Sequence, residues 1–174
     1  MRRWRTSDVD SFASMNADPQ VMEHFFHGVM TREESAAFAA RIEAEFDEKG
    51  YGLWAIEVPG IAGFIGIVGL HGALFEAPFT PAVEVGWRLA PAYWNRGYAT
   101  EAAKEALRFG FERIGLDEIV SFTNIANTRS QAVMERIGMT RDKAGDFDHP
   151  AVPEGHPIRP HVLYRVQRPP VRGR

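Results

Sequence analysis

Between Val83 and Ile114 the chain changes its hydrophobic period once, across a glycine, and this change limits the folds open to it. Val83, Val85, Trp87 and Leu89 alternate with Glu84, Gly86 and Arg88, the period-two pattern of a strand. Pro91 ends the strand. From Gly97 to Ile114 the period becomes helical, and Ala99, Ala102, Ala103, Ala106, Gly110 and Ile114 form a stripe of mostly small residues. Such a helix can lie close against a sheet. The turn between the two elements, Trp94-Asn95-Arg96-Gly97-Tyr98-Ala99-Thr100, leaves the first N–H groups of the helix without intrahelical partners, and the helix dipole adds partial positive charge. That is a ready site for phosphate oxygens, with Gly97 turning the chain, Ala99 admitting a close ligand and Arg96 adding a cation. Taken alone, the same segment also reads as an ordinary strand-to-helix turn.

The remainder of the chain frames this unit. Residues 1–5 read as the remnant of a first strand. Ser7 to Ala17 reads as a helix with Ser7 and Asp10 spaced as a capping box, and Thr31 to Glu34 gives a second box opening a helix through Phe38, Ile42 and Phe46 to Gly50. Strands are expected over 52–58 and 64–71, joined by a turn at Pro59-Gly60, and over 118–123 and 161–167. Thr128 to Ile137 reads as a short helix stopped by Gly138. The order predicts a mixed α+β layer fold, with helices covering a largely antiparallel sheet.

Composition excludes several classes. With 174 residues, a net charge of −3 and no Cys, the chain has no disulfide framework, no thiolate nucleophile and no Cys-based metal site. Its charge balance argues against bulk electrostatic binding to nucleic acid. The longest apolar run, Ile61 to Leu70, falls short of the roughly 20 residues that span a bilayer. The first residues, Met1 to Asp8, lack a signal-peptide core. A cytoplasmic protein with no membrane partner is therefore expected. It is expected to be one domain over 1–168, followed by a basic, Pro-rich tail over 169–174.

Residues 83–139 carry a more specific signal. Val83-Glu84-Val85-Gly86-Trp87, then Tyr93-Trp94-Asn95-Arg96-Gly97-Tyr98-Ala99-Thr100-Glu101-Ala102, then Asn127-Thr128-Arg129-Ser130 and Gly138-Met139 resemble the acetyl-CoA-binding motifs of the GNAT superfamily of N-acetyltransferases. The branch they are most similar to is the RimJ/RimL-like one, whose members acetylate protein N-termini among other amines. Trp94 stands where the general pattern has Gln or Arg, and Met139 where it has Phe. The resemblance implies the GNAT fold, α+β with a mixed, largely antiparallel twisted sheet of about six or seven strands and about four helices. It also implies acetyl-CoA as acyl donor, an amine as acceptor and no metal. Homodimers are common among such proteins.

Residue roles follow from that resemblance. The N–H groups of Asn95, Arg96, Gly97, Tyr98, Ala99 and Thr100 would hold the pyrophosphate. Trp87, Arg88 and Leu89 would pair with the pantetheine arm as an added strand, with Trp94 beside it and Asn127 bonding further along. Asn127 also suits a helix N-cap. A free N–H near Leu89 would polarise the thioester carbonyl.

An amine with a pKa near 8, or 10.4 for Lys, needs a base. Glu84 is the first candidate, His71 and His149 the others, and an ion pair of Glu84 with Arg88 is the structural alternative. Ser130 matches the Ser that protonates the leaving thiolate in this branch, because Met134 occupies the position where many relatives carry Tyr. Equally, Ser130 fits a first-turn helix residue bonded to backbone.

His71, Phe75, Phe79 and His149 are candidates for the acceptor pocket, with Phe25 and Phe26 less certainly placed. Trp54 reads as core, and Arg129 and Arg136 as a solvated helix face, with a place near the 3′-phosphate of CoA as the alternative. His149, His156 and His161 sit in a Pro-rich loop that reads as a border of the acceptor site rather than a metal site. A non-catalytic acyl-CoA-binding module on the same fold is the alternative function; Met134 in place of Tyr favours it, and Glu84 and Ser130 oppose it.

Overall fold

Two long antiparallel strands form the backbone of the molecule, here described from a computed structural model over residues 1–170. β2 (Ala62–Ala73) pairs on one side with β1 (Leu53–Val58) and on the other with β3 (Ala82–Leu89). β4 (Glu118–Asn124) continues the sheet beside β3 in parallel, and β7 (Pro160–Gln167) pairs antiparallel with β4. The short strands β5 (Thr140–Arg141) and β6 (Phe147–Asp148) add to β7. Among the described residues the sheet thus has seven strands, six of them in the order β1-β2-β3-β4-β7-β5, and every recorded pairing except β3–β4 is antiparallel. Of the expected first strand only one bridge forms, between Arg2 and Ala55.

Helices cover both faces. α1 (Asp8–Asn16), α2 (Pro19–Met22) and α3 (Arg32–Lys49) build a core of Phe12, Met22, Ile42 and Phe46 against Leu53 and Ile67 of the sheet. α4 (Tyr98–Phe109) and α5 (Thr128–Arg136) cover the other face over Val68, Leu70, Val85 and Ile119. The small-residue stripe does what its composition implies: Ala103 and Ala106 are fully buried. At Gly110, where α4 passes into a π-helical turn (Gly110–Ile114), an added Cβ would lie 2.7 Å from Ile119 Cδ1. Side chains larger than these would push the helix off the sheet.

Of the two expected capping boxes, one forms. Thr31 Oγ1 accepts from Glu34 N–H at 3.1 Å, Glu34 accepts in turn from Thr31 N–H at 2.7 Å, and Gly50 closes α3 in the left-handed region. Ser7 makes no capping bond. In its place, Asp8 turns back to accept from Arg5 N–H at 2.7 Å and from both Nη atoms of Arg2 at 2.7 and 2.8 Å. A bidentate guanidinium outcompetes a neutral hydroxyl for the turn. Among the described residues no helix is long and apolar enough to cross a membrane. Positions 171–174 of the expected tail lie outside the described residues.

Asp8 is 3% exposed. Burial alone would raise its pKa, but the Arg2 hydrogen bonds and the Arg5 N–H outweigh it and hold the carboxyl below its ordinary value. This stabilisation is fully present above the unfolded-state pKa of about 3.9 and disappears as pH falls through the lower folded value. Asp8→Ala removes it, leaving Arg2 with Glu57 as its remaining carboxylate partner, at a cost of about 2 kcal/mol. Urea denaturation at pH 7 checks this, and the gap between variant and wild type should shrink in acid.

Candidate active site

The β2–β3 ladder decides which groups of β3 are available. Ala90 N–H donates to Ile65 O at 3.0 Å, and the register pairs Ile67 with Arg88 and Gly69 with Gly86. In an antiparallel ladder, alternate residues bond across to the partner. The main-chain groups of Glu84, Gly86 and Arg88 therefore face β2, and those of Val85, Trp87 and Leu89 face β4. On that side β3 and β4 pair only at Glu84 and Val120, with Ser121 Oγ donating to Val85 O at 2.9 Å. Beyond Val85 the two strands share no further pairing among the described residues, which leaves a wedge. Leu89 O is closed by Trp94 Nε1 at 2.7 Å. The N–H groups of Trp87 and Leu89 and the carbonyl of Trp87 remain directed into the wedge.

The wedge opens at its wide end onto the start of α4. Asn95 (φ 58°) and Gly97 (φ 84°) both adopt left-handed backbone, which swings successive N–H groups to one side. The first main-chain bond made by the helix is Glu101 N–H to Gly97 O at 2.9 Å. The N–H groups of Asn95 through Thr100 donate to no acceptor among the described residues. A run of six such donors at a helix N-terminus needs water or an anion.

A cleft of about 1400 Å³ joins these features. This is more than the roughly 300–1,000 Å³ that holds one small ligand, so two reactants fit. Lys104, Arg129 and Arg136 line the α4–α5 end. Arg129 and Arg136 are exposed, as a solvated face requires, and both also border the cleft, where Arg129 stacks over the Trp94 ring at 4.2 Å. Arg96, by contrast, is exposed and outside the lining, because the turn at Gly97 points it away.

Asn127 behaves as the N-cap of α5. Its Oδ1 accepts from Ser130 N–H at 3.2 Å, and its Nδ2 donates to Thr123 Oγ1 at 2.9 Å and Ser130 Oγ at 3.1 Å. Both amide hydrogens are engaged, so its side chain has no donor left for a ligand. Because Ser130 Oγ accepts from Asn127, its own hydrogen is free to donate into the cleft that it lines.

The opposite end holds the titratable groups. Glu84 is 8% exposed, and its partner is His71, with Nε2 to Oε2 at 3.2 Å, rather than Arg88. The register explains this: His71 and Glu84 are direct cross-strand neighbours, whereas Arg88 lies four residues further along β3. Burial pulls the His71 pKa down, but the Glu84 charge and hydrogen bond, aided by Glu45, raise it above the ordinary imidazole value. His149 and His161 are shifted the other way, chiefly by burial. Their rings lie 5.0 Å apart, and His149 is 4.6 Å from Phe75.

Phe75 lines the cleft, but Phe79 does not. Its ring packs on Phe122 and Phe147, so it supports the pocket wall without facing the ligand space. Phe25 and Phe26 line the cleft. Trp54 is core, packed edge-on between Phe46 and Phe109. Among the described residues no group of three or more His, Asp or Glu is arranged to hold a metal.

Sequence reasoning missed the contribution of α3, whose Phe38, Arg41 and Glu45 form part of the lining. It also missed the side chain of Arg88. Burial lowers the Arg88 pKa to about 10, which still leaves it charged at neutral pH.

The sequence and the fold are matched by known proteins. Residues 1–140 match the acetyltransferase (GNAT) domain family, and the chain belongs to it. It is an acetyl-CoA-dependent acyltransferase, of a family that transfers acetyl to amines. It is 28% identical to the uncharacterized N-acetyltransferase YnaD of Bacillus subtilis over 166 residues, covering 95% of this chain and 91% of that protein. It is 35% identical over 97 residues to an FsC-acetyl coenzyme A-N(2)-transacetylase of Aspergillus fumigatus, covering 52% of this chain and 41% of the other. A GNAT-family acetyltransferase structure from Bacillus anthracis superposes with a TM-score of 0.78 at 28% identity, covering 96% of this chain and 93% of that one.

The His71–Glu84 pairing is open to direct measurement. In an NMR titration of the imidazoles, His71 should titrate above free histidine, and His149 and His161 below it. Glu84→Gln removes the charge that holds His71 up, so burial should then carry its midpoint below 6.5.

Proposed function

We propose that the chain transfers acetyl from acetyl-CoA to a primary amine, either a protein N-terminus or a small molecule, by direct attack while both are bound. The observation that carries this reading is the run of unengaged N–H groups from Asn95 to Thr100, placed where the wedge between β3 and β4 ends. The pyrophosphate would sit on those donors, with Lys104, Arg129 and Arg136 near its charge. The pantetheine arm would lie in the wedge and pair with Trp87 and Leu89 in place of the missing strand contacts. Arg88, expected in the same role, has its main-chain groups turned to β2, and Asn127 has no free amide hydrogen.

The chemistry then uses groups already in place. The amine nitrogen attacks the thioester carbonyl carbon, whose oxygen gains charge against a free N–H of Leu89 or Trp87. The ammonium proton leaves through water to the His71–Glu84 pair. The C–S bond breaks, the departing sulfur accepts a hydrogen bond from Ser130 Oγ–H, and its proton comes from water, so that Ser130 ends as the neutral hydroxyl. A thiol pKa near 8.5 makes the Ser130 hydrogen bond helpful rather than essential. The Asn127-to-Ser130 segment with Gly138-Met139 supports placement in the RimJ/RimL-like branch.

Two variants test the reading. Gly97→Asp has open space for its side chain, but it sets an anion beside the diphosphate and forces left-handed backbone on a non-glycine residue. Calorimetry should show CoA affinity falling at least 100-fold in a folded protein, and unchanged affinity overturns the proposal. Glu84→Gln should lower turnover, read as thiol release, most steeply at low pH, where unprotonated amine is scarce. An equal loss at every pH assigns Glu84 to structure alone.

A further inference from the structure

Arg88 is a cation at the acceptor end that the protein holds rigidly and, among the described residues, leaves without a carboxylate partner. Its Nη1 donates to the neutral Oδ1 of the fully buried Asn16 at 2.8 Å and lies 3.9 Å from Met30 Sδ. Its guanidinium carbon sits 4.2 Å over the Phe25 ring and 5.7 Å from that of Phe38. No carboxylate lies within ion-pair distance among the described residues, and Nε is sealed off without a partner. Nη2 also has no protein partner, yet it is not among the sealed atoms. It therefore opens onto the cleft that Arg88 lines.

A buried cation with only neutral partners is expensive to keep, and stability alone favours an apolar side chain at such a place. Asn16 and the two rings fix the direction of the fork, so the position is built to present a charge. Arg88 shares its face of β3 with Glu84 and Gly86. The span from Glu84 to Arg88 is about 13 Å between Cα atoms. Midway, Gly86 leaves the strand bare: an added Cβ there would sit 3.5 Å from His71 Nε2 and 3.8 Å from Glu84 Oε1. A ligand lying across Gly86 has the proton acceptors at one end and the guanidinium at the other.

We propose that the acceptor is an amine that also carries a carboxylate, of the amino-acid type, with its carboxylate on Arg88 and its amine over Gly86, linked to His71–Glu84 through water. The planar fork of Arg88 suits a carboxylate, and the exposed Arg41, stacked 4.9 Å over Phe38, adds positive charge to the same wall. The flanking Phe25 and Phe38 provide an apolar wall for an apolar or aromatic side chain. This assignment rests on the acetyl-transfer reading above for its chemistry, but the binding site can be measured without turnover.

The test uses a matched pair, L-phenylalanine and 2-phenylethylamine, which differ only in the carboxylate. Each is titrated calorimetrically into the protein–CoA complex, and each is assayed with acetyl-CoA for thiol release. The wild type should bind the carboxylate-bearing member about 10- to 100-fold more tightly. Arg88→Gln should remove that preference and Arg88→Lys should retain part of it. Equal affinity of the wild type for the two compounds overturns the inference whatever the turnover. Preferential binding of phenylalanine with no thiol release from either amine keeps the carboxylate site and tells against acetyl transfer. Comparing ligands on the wild type keeps the test decisive if Arg88→Gln does not fold.

Discussion

Main-chain hydrogen bonds that the fold does not make are what this molecule is organised around. A sheet normally pairs every interior N–H and C=O, because leaving one unpaired away from water costs free energy. Here β3 and β4 meet at a single residue pair and then part, and the helix that follows β3 begins with six donors that find no protein acceptor. The wedge and the nest are continuous, so an extended ligand with a charged end can satisfy both. The two helical layers, the small-residue stripe on α4 and the pin from Trp94 to Leu89 all keep this gap from closing.

The two ends of the cleft differ in electrostatic character. At the α4–α5 end, main-chain dipoles and exposed cations favour multiply charged oxygen anions. At the other, the His71–Glu84 pair sits beside a wall of aromatic and imidazole rings, where Glu84 raises the His71 pKa against burial while burial lowers those of His149 and His161. One side chain at that end, Arg88, carries a charge that nothing in the fold neutralises. Such an imbalance is informative because structural ion pairs are abundant elsewhere in the protein: Asp8, Glu43, Asp142 and Asp146 all have an arginine partner.

Particular residues show where sequence reasoning succeeded and why. The capping box at Thr31, the strand alternation of β3 and the Ala stripe of α4 are local patterns, and each depends on residues a few positions apart. The cap at Ser7 had the same local signature and failed, because Arg2 and Asp8 formed a stronger contact that spacing rules do not weigh. Glu84 has two readings in sequence, a base or an ion-pair partner of Arg88 along the strand, yet the neighbour that matters lies across it, and only register identifies His71. Asn127 fitted both a ligand contact and a helix cap, and the geometry uses both of its amide hydrogens within the protein.

The amino-acid sequence by itself determined the element order, the glycine that turns β3 into α4, the absence of a cysteine nucleophile and the family to which the chain belongs, since all of these reside in residue identity and short spacing. Tertiary structure decided which β3 groups are free, that α3 forms a wall of the cleft and that Arg88 has no counter-charge. Those outcomes depend on ladder parity and on contacts between residues as far apart as Asn16 and Arg88, which no local pattern encodes.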